Sequence, residues 1–174
     1  MLQINFYMET NKAIDILKMA ILMEKRGYAF YAKVAENSSD PDISHIFHVM
    51  ADEETKHIKF LSDQFVHYEK EHKFAHLKLS DLENEEFVNL ILSEDMKKKI
   101  SSAGFEAAAI SAAVDFENRA IDVYTKQAGL TADPNEKALY QWLADWEKGH
   151  LKVLNDIDNE LKEKIWNDNQ FWPF

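Results

Sequence analysis

Residues 24–61, "EKRGYAFYAKVAENSSDPDISHIFHVMADEETKHIKFL", align without a gap to residues 117–154, "ENRAIDVYTKQAGLTADPNEKALYQWLADWEKGHLKVL", at a constant offset of 93. Thirteen of the 38 pairs are identical. They include Glu24/Glu117, Tyr31/Tyr124, Asp40-Pro41/Asp133-Pro134, Asp52/Asp145, Glu54/Glu147 and His57/His150. A repeat this long makes the chain a duplicated half-molecule, and the shape of one half decides the fold.

Each half reads as a helical hairpin. Apolar residues recur at helical spacing on both sides of "NSSDP" and of "GLTADP", where Ser, Asp and Pro favour a turn and Pro41 and Pro134 cannot sit inside a helix. The first hairpin is expected over 10–68, with Thr10 as N-cap, and the second over 102–166. Between them, 69–101 forms a long crossover with a short helix near 81–92 opened by the capping box "SDLE". The aromatic tail, 167–174, is expected to dock on the bundle or on a partner subunit. Two antiparallel pairs joined by one long connection predict an all-α four-helix bundle of 174 residues, one domain by length. Four glycines and three prolines are few breakers for such a chain, and the regular turn signals of a β protein are missing.

Charge narrows the function. A net charge of −11 disfavours nucleic acid, which is bound by neutralising its phosphates, and anionic membranes as well. The positive run "MKKKI" at 96–100 reads as a solvated helix end. Absence of cysteine removes disulfides, thiolate zinc sites, iron–sulfur clusters and a cysteine nucleophile together. No signal-peptide pattern and no apolar stretch of about 20 residues is present, so the expected protein is soluble and cytoplasmic.

The apolar stripes carry residues that do not belong in a core. The first helix shows Leu17, Ile21, Tyr28 and Tyr31, with Glu24 among them. The second shows Ile43, Phe47, Met50, Ile58 and Leu61, with Glu54 and His57 among them. The repeat places Glu117 on the third stripe and Glu147 and His150 on the fourth. Glu24 and Glu54 are equidistant from the first turn, and Glu117 and Glu147 from the second, so each hairpin brings its two carboxylates to one level.

A buried carboxylate costs several kcal/mol even after relaxation, and like charges in one pocket cost more. Four would consume most of the ~5–15 kcal/mol that holds a domain together. With no inward Lys or Arg, cations are the remaining compensation: two divalent ions balance the four glutamates while both histidines stay neutral. Glu and His three residues apart on a helix can reach one ion. Oxygen and imidazole donors without sulfur suit iron or manganese, and zinc is compatible.

The four motifs "MEKRGYAFY", "FENRAIDVY", "ADEETKH" and "ADWEKGH" together resemble the ferritin-like di-iron carboxylate superfamily, most closely its rubrerythrin-like branch, over about 10–160. The resemblance implies a ferritin-like bundle with two iron ions held by Glu24, Glu54, His57, Glu117, Glu147 and His150, with Glu54 and Glu147 bridging. It also implies reduction of hydrogen peroxide or dioxygen, with ferroxidase and iron-storage activity or a non-catalytic metal-stabilised module as alternatives. Typical rubrerythrins add a cysteine-ligated rubredoxin domain. This chain has no cysteine, so electrons are expected from a separate donor protein. An extra glutamate one turn from the helix-3 ligand is also missing, since Val114 and Ala120 stand there. A homo-oligomer, foremost a dimer, is expected, and the long crossover permits exchange of hairpins between subunits.

Tyr31 and Tyr124 are expected to hydrogen-bond ligand carboxylates, pass an electron, or simply pack. Asp52 and Asp145 are candidates to back the metal-bound imidazoles. Trp142 and Trp146 read as core, and His45, His48, His67, His72 and His76 as structural or exposed.

Overall fold

The computed structural model describes residues 2–76 and 104–168, with side chains described over 12–76 and 104–163. It consists there of four helices and no strand: α1 (Leu2–Asn37), α2 (Pro41–Glu71), α3 (Phe105–Leu130) and α4 (Pro134–Asp168). Helix α1 packs on α2 and α3 on α4, and the hairpins meet through α1 and α3.

The two turns are built alike, as the repeat demands. Asp40 caps α2, its Oδ1 accepting from the N–H groups of Asp42 (2.9 Å) and Ile43 (3.2 Å), with Pro41 in the first turn. Asp133 does the same for α4, accepting from Asn135 (2.8 Å) and Glu136 (3.1 Å). The first turn is also clamped to the other hairpin. Glu106 Oε1, at the start of α3, accepts from Ser39 N and Ser39 Oγ, both at 2.9 Å, and from Ser38 Oγ at 3.2 Å. Its own backbone N–H first, then Ser39 N–H and the two serine hydroxyls, hold the Glu106 carboxyl below its ordinary pKa.

Two apolar clusters fill the bundle. One, at the end bearing the first turn, joins Tyr31, Ile43, Phe47 and Met50 to Ile110, Leu154 and Ile157. The other, at the opposite end, joins Leu17, Leu61 and Tyr68 to Tyr124, Leu139 and Leu143. The six polar residues of the stripes lie between them in sequence, and all six are buried.

Several boundaries differ from expectation. Helix α1 starts at Leu2, not at Thr10, because residues 2–9 contain no glycine or proline to stop it. Helix α2 runs on to Glu71, taking the first residues of the expected crossover, and ends where His72 turns left-handed at φ 53°. Helix α3 includes Gly129 and Leu130, which the pattern placed in the turn. Tyr28, assigned to the inward stripe, is 44% exposed. The helix expected at 81–92, the "MKKKI" run and residues 169–174 of the tail lie outside the described residues.

Candidate metal centre

The inward glutamates and histidines of the two hairpins meet at one level. Glu24, Glu54, His57 and Glu147 offer ligand atoms within 4.8 Å of one another, and so do Glu54, Glu117, Glu147 and His150. Each quartet is three carboxylates and one imidazole, every member is buried, and Glu54 and Glu147 belong to both. Both imidazoles turn Nδ1 toward the carboxylates. His57 Nδ1 lies 3.1 Å from Glu24 Oε2, 3.1 Å from Glu147 Oε1 and 3.6 Å from Glu54 Oε2. His150 Nδ1 lies 2.9 Å from Glu147 Oε2 and 3.4 Å from Glu117 Oε1.

Room for the Glu54 carboxylate comes from Gly27, one turn beyond Glu24. A Cβ there would stand 3.0 Å from Glu54 Oε1 and 3.0 Å from the Phe116 ring. The repeat places Ala120 at the equivalent position of α3, 1% exposed.

The tyrosines are used crosswise. Tyr31 of the first hairpin donates its hydroxyl hydrogen bond to Glu117 of the second, and Tyr124 of the second donates to Glu24 of the first. Each pins the glutamate that belongs to only one quartet, while the two shared glutamates have no such tether. Burial, then the Glu117 charge, raises the Tyr31 hydroxyl pKa well above its ordinary value, so it stays a donor.

Without a cation, protons balance this cluster. Burial, reinforced by Glu24 and Glu147, raises the Glu54 pKa well above the carboxylate range. Burial and the Glu147 charge raise Glu117 to about 7. Burial opposes charge on the imidazoles too, yet the carboxylates win. Glu147 leads in raising His57 well above its ordinary value and His150 to about 9. Glu147 itself is held below the ordinary carboxylate value: burial acts upward, but the charges of His57 and His150 outweigh it.

The donor set fits a pair of cations. Both oxygens of Glu54 and Oε2 of Glu117 are enclosed without a hydrogen-bond partner among the described residues. Such orphaned acceptors are expensive unless something positive lies between them. Oxygen-rich quartets with a single imidazole and no sulfur match the preferences of iron and manganese.

Asp52 and Asp145 do not back the imidazoles. Asp52 is exposed, and Asp145 accepts from Lys148 at 2.7 Å and Gln141 at 3.2 Å on the outer face. Two residues along a helix is about 200° around it, so a residue that far from an inward glutamate must point out. His57 is instead flanked by aromatic rings, Trp146 at 5.5 Å and Trp142 at 5.7 Å between centroids, both nearly perpendicular to it. These indoles are half-buried against the site, where the sequence suggested core. His45, His48, His72 and His76 are exposed and His67 half-buried, and none joins a quartet.

Sequence reasoning missed three residues. Gly27 carried a signal, since an isolated glycine within a helix usually has a packing reason. Glu53 is 1% exposed and bound to Lys56 Nζ at 2.7 Å, but its stripe position did not mark it. Glu106 gave no sign of its clamp until the two turns were placed in space.

No curated protein and no solved structure matches the chain. The family model for rubrerythrin matches residues 15–158, most of the chain and both quartets. The chain therefore belongs to the rubrerythrin family, a ferritin-like di-iron family.

Proposed function

We propose that this chain is a non-haem di-iron oxidoreductase that reduces hydrogen peroxide, with dioxygen as the slower oxidant. The observation that carries the reading is the pair of overlapping quartets sharing Glu54 and Glu147. A shared carboxylate pair favours two ions side by side over two independent sites, and side-by-side ions are the arrangement for two-electron chemistry. Glu24 and His57 would hold one ion, Glu117 and His150 the other, and Glu54 and Glu147 would span both. Two bound iron ions would supply the electron pair that cleaves a peroxide O–O bond.

The chain's own residues set the conditions for that step. Tyr31 and Tyr124 fix the orientation of Glu117 and Glu24 by donating hydrogen bonds, and keep those protons at the edge of the site. The apolar clusters exclude bulk water, so charge interactions inside are strong. Glu54 and Glu147, with no tyrosine bonded to them, would be the less firmly fixed of the four carboxylates holding a bound pair. Among the described residues no helix is long and apolar enough to cross a membrane. A homodimer and a separate electron-donor protein, in the cytoplasm, complete the proposal.

The test is anaerobic loading with ferrous iron, followed by rapid mixing with peroxide or oxygen while iron oxidation is followed by absorbance. Faster oxidation by peroxide, regenerated for further cycles by an added reductant, is expected. A protein inert to both oxidants, or one that accumulates ferric mineral in a many-subunit shell, would overturn it.

A further inference from the structure

The two halves of the site differ in what stands behind the histidines. Behind His57 are two indoles of α4, in edge-on contact with the imidazole and with each other at 5.2 Å between centroids. Phe60 extends the row, 4.9 Å from Trp142. The repeat places Val49 and Glu53 at the equivalent positions of α2, and neither side chain can give up an electron. Among the described residues a pair of indoles thus adjoins His57, and the repeat supplies no such pair for the other half.

The geometry points to Trp142 and Trp146 as a one-sided electron relay that feeds the site when peroxide reaches an already oxidised metal pair and the donor protein is absent. This rests on the di-metal reading above. Edge-to-face rings at 5–6 Å are in van der Waals contact, which suits electron exchange between them. Peroxide in excess is the oxidant: it takes two electrons at the site and leaves as two hydroxides, the first electron drawn from the Trp146 indole and the second from Trp146 again once Trp142 has refilled it. Trp146 keeps its proton, because its Nε1 is enclosed with no acceptor among the described residues. Trp142 refills Trp146 with an electron of its own and, being half-buried, releases its indole proton to water as it becomes the neutral radical. A solution reductant that gives a hydrogen atom, a thiol or ascorbate, restores Trp142. The relay would let the site discharge an oxidising equivalent before it attacks the ligands.

The experiment mixes the ferrous-loaded full chain with excess peroxide and no donor. It follows iron oxidation by absorbance, the radical by electron paramagnetic resonance, and oxidised residues by peptide mass mapping. A tryptophan radical is expected once the iron is oxidised and peroxide remains, with added oxygen mapped to Trp142 and Trp146. The double variant Trp142→Phe/Trp146→Phe should bind the same metal, lose that radical, and move the damage to the ligand histidines. The mapping of the unaltered chain stands even if the double variant fails to fold. Iron that oxidises with no tryptophan radical, or with oxidation confined to Trp166 and Trp172, would overturn the relay alone. Iron that does not oxidise would overturn the peroxidase reading as well.

Discussion

The two hairpins descend from one sequence, and their differences divide into those the site forbids and those it tolerates. Glu24 and Glu117, Glu54 and Glu147, His57 and His150, and Tyr31 and Tyr124 are the same residue in both halves. One step outward the halves diverge: Gly27 faces Ala120 across the repeat, Glu53 faces Trp146, and Val49 faces Trp142. The atoms that reach the centre obey the pseudo-twofold, and the shell that packs against them does not. A symmetric set of candidate ligands within an asymmetric shell would give two bound ions different surroundings, and that can be broken by substitution one half at a time.

The largest effect is expected from the shared glutamates. Glu54→Ala removes an atom from both quartets, and bound metal should fall from about two ions per chain to well below one. Tyr-tethered Glu24→Ala should cost only the ion on the His57 side. Metal analysis of the purified variants checks this, and equal loss from both would show that the halves do not share ligands.

Much of this contrast was legible in the sequence, for a physical reason. A residue's depth along a helical hairpin follows from counting to the turn, and its facing follows from the 3.6-residue period. Six inward polar residues at one level could therefore be named before any coordinates. What the pattern lost lies at one or two residues' remove. Neighbours on a helix point about 100° apart, which sent Asp52 to solvent and Glu53 inward, although both immediately precede the shared Glu54. Trp142 and Trp146 fall at the edge of the stripe, and only the packing of α4 against α2 determines that they meet His57. The start of α1 was misplaced because Thr10 has the chemistry of a cap but nothing before it breaks a helix.

The second expectation is an inverse pH dependence of the metal-free protein. Glu117 is raised from 4.5 to about 7 and His150 from 6.5 to about 9, so the native state binds more protons than the unfolded chain across those ranges. Stability from Glu117 is complete below pH 4.5 and lost as pH rises to about 7, and that from His150 is lost between about 6.5 and 9. Glu147, held low, acts oppositely and loses its contribution as pH falls below 4.5. Divalent metal should replace those protons. At 100-fold excess over the dissociation constant it should add about 2.7 kcal/mol. For a chain of this size that is about 5–10 °C in Tm. Thermal melts of metal-free and loaded protein between pH 5 and 9 should diverge as pH rises, and parallel curves would contradict the exchange of protons for cations.

Smaller effects sharpen the contrast at Gly27 and Ala120. Gly27→Ala adds a methyl against Glu54 and Phe116 and should cost about 1–3 kcal/mol by overpacking, with weakened metal binding. Ala120→Gly at the equivalent position should cost about 1 kcal/mol through helix propensity and leave the metal in place. Denaturant melts with metal titrations separate the two, and unchanged binding in Gly27→Ala would remove that glycine's role. Smallest and symmetric should be Tyr31→Phe and Tyr124→Phe, each about 1 kcal/mol in loaded protein, read by the same melts. A large difference between them would mean that the asymmetry reaches the ligands.

The most direct test is anomalous diffraction at the iron edge from crystals of ferrous-loaded protein. Two peaks about 3.5–4 Å apart are predicted, one beside His57 and Glu24, the other beside His150 and Glu117, with Glu54 and Glu147 touching both. A single peak, or full loading with no density among these six side chains, would contradict the account.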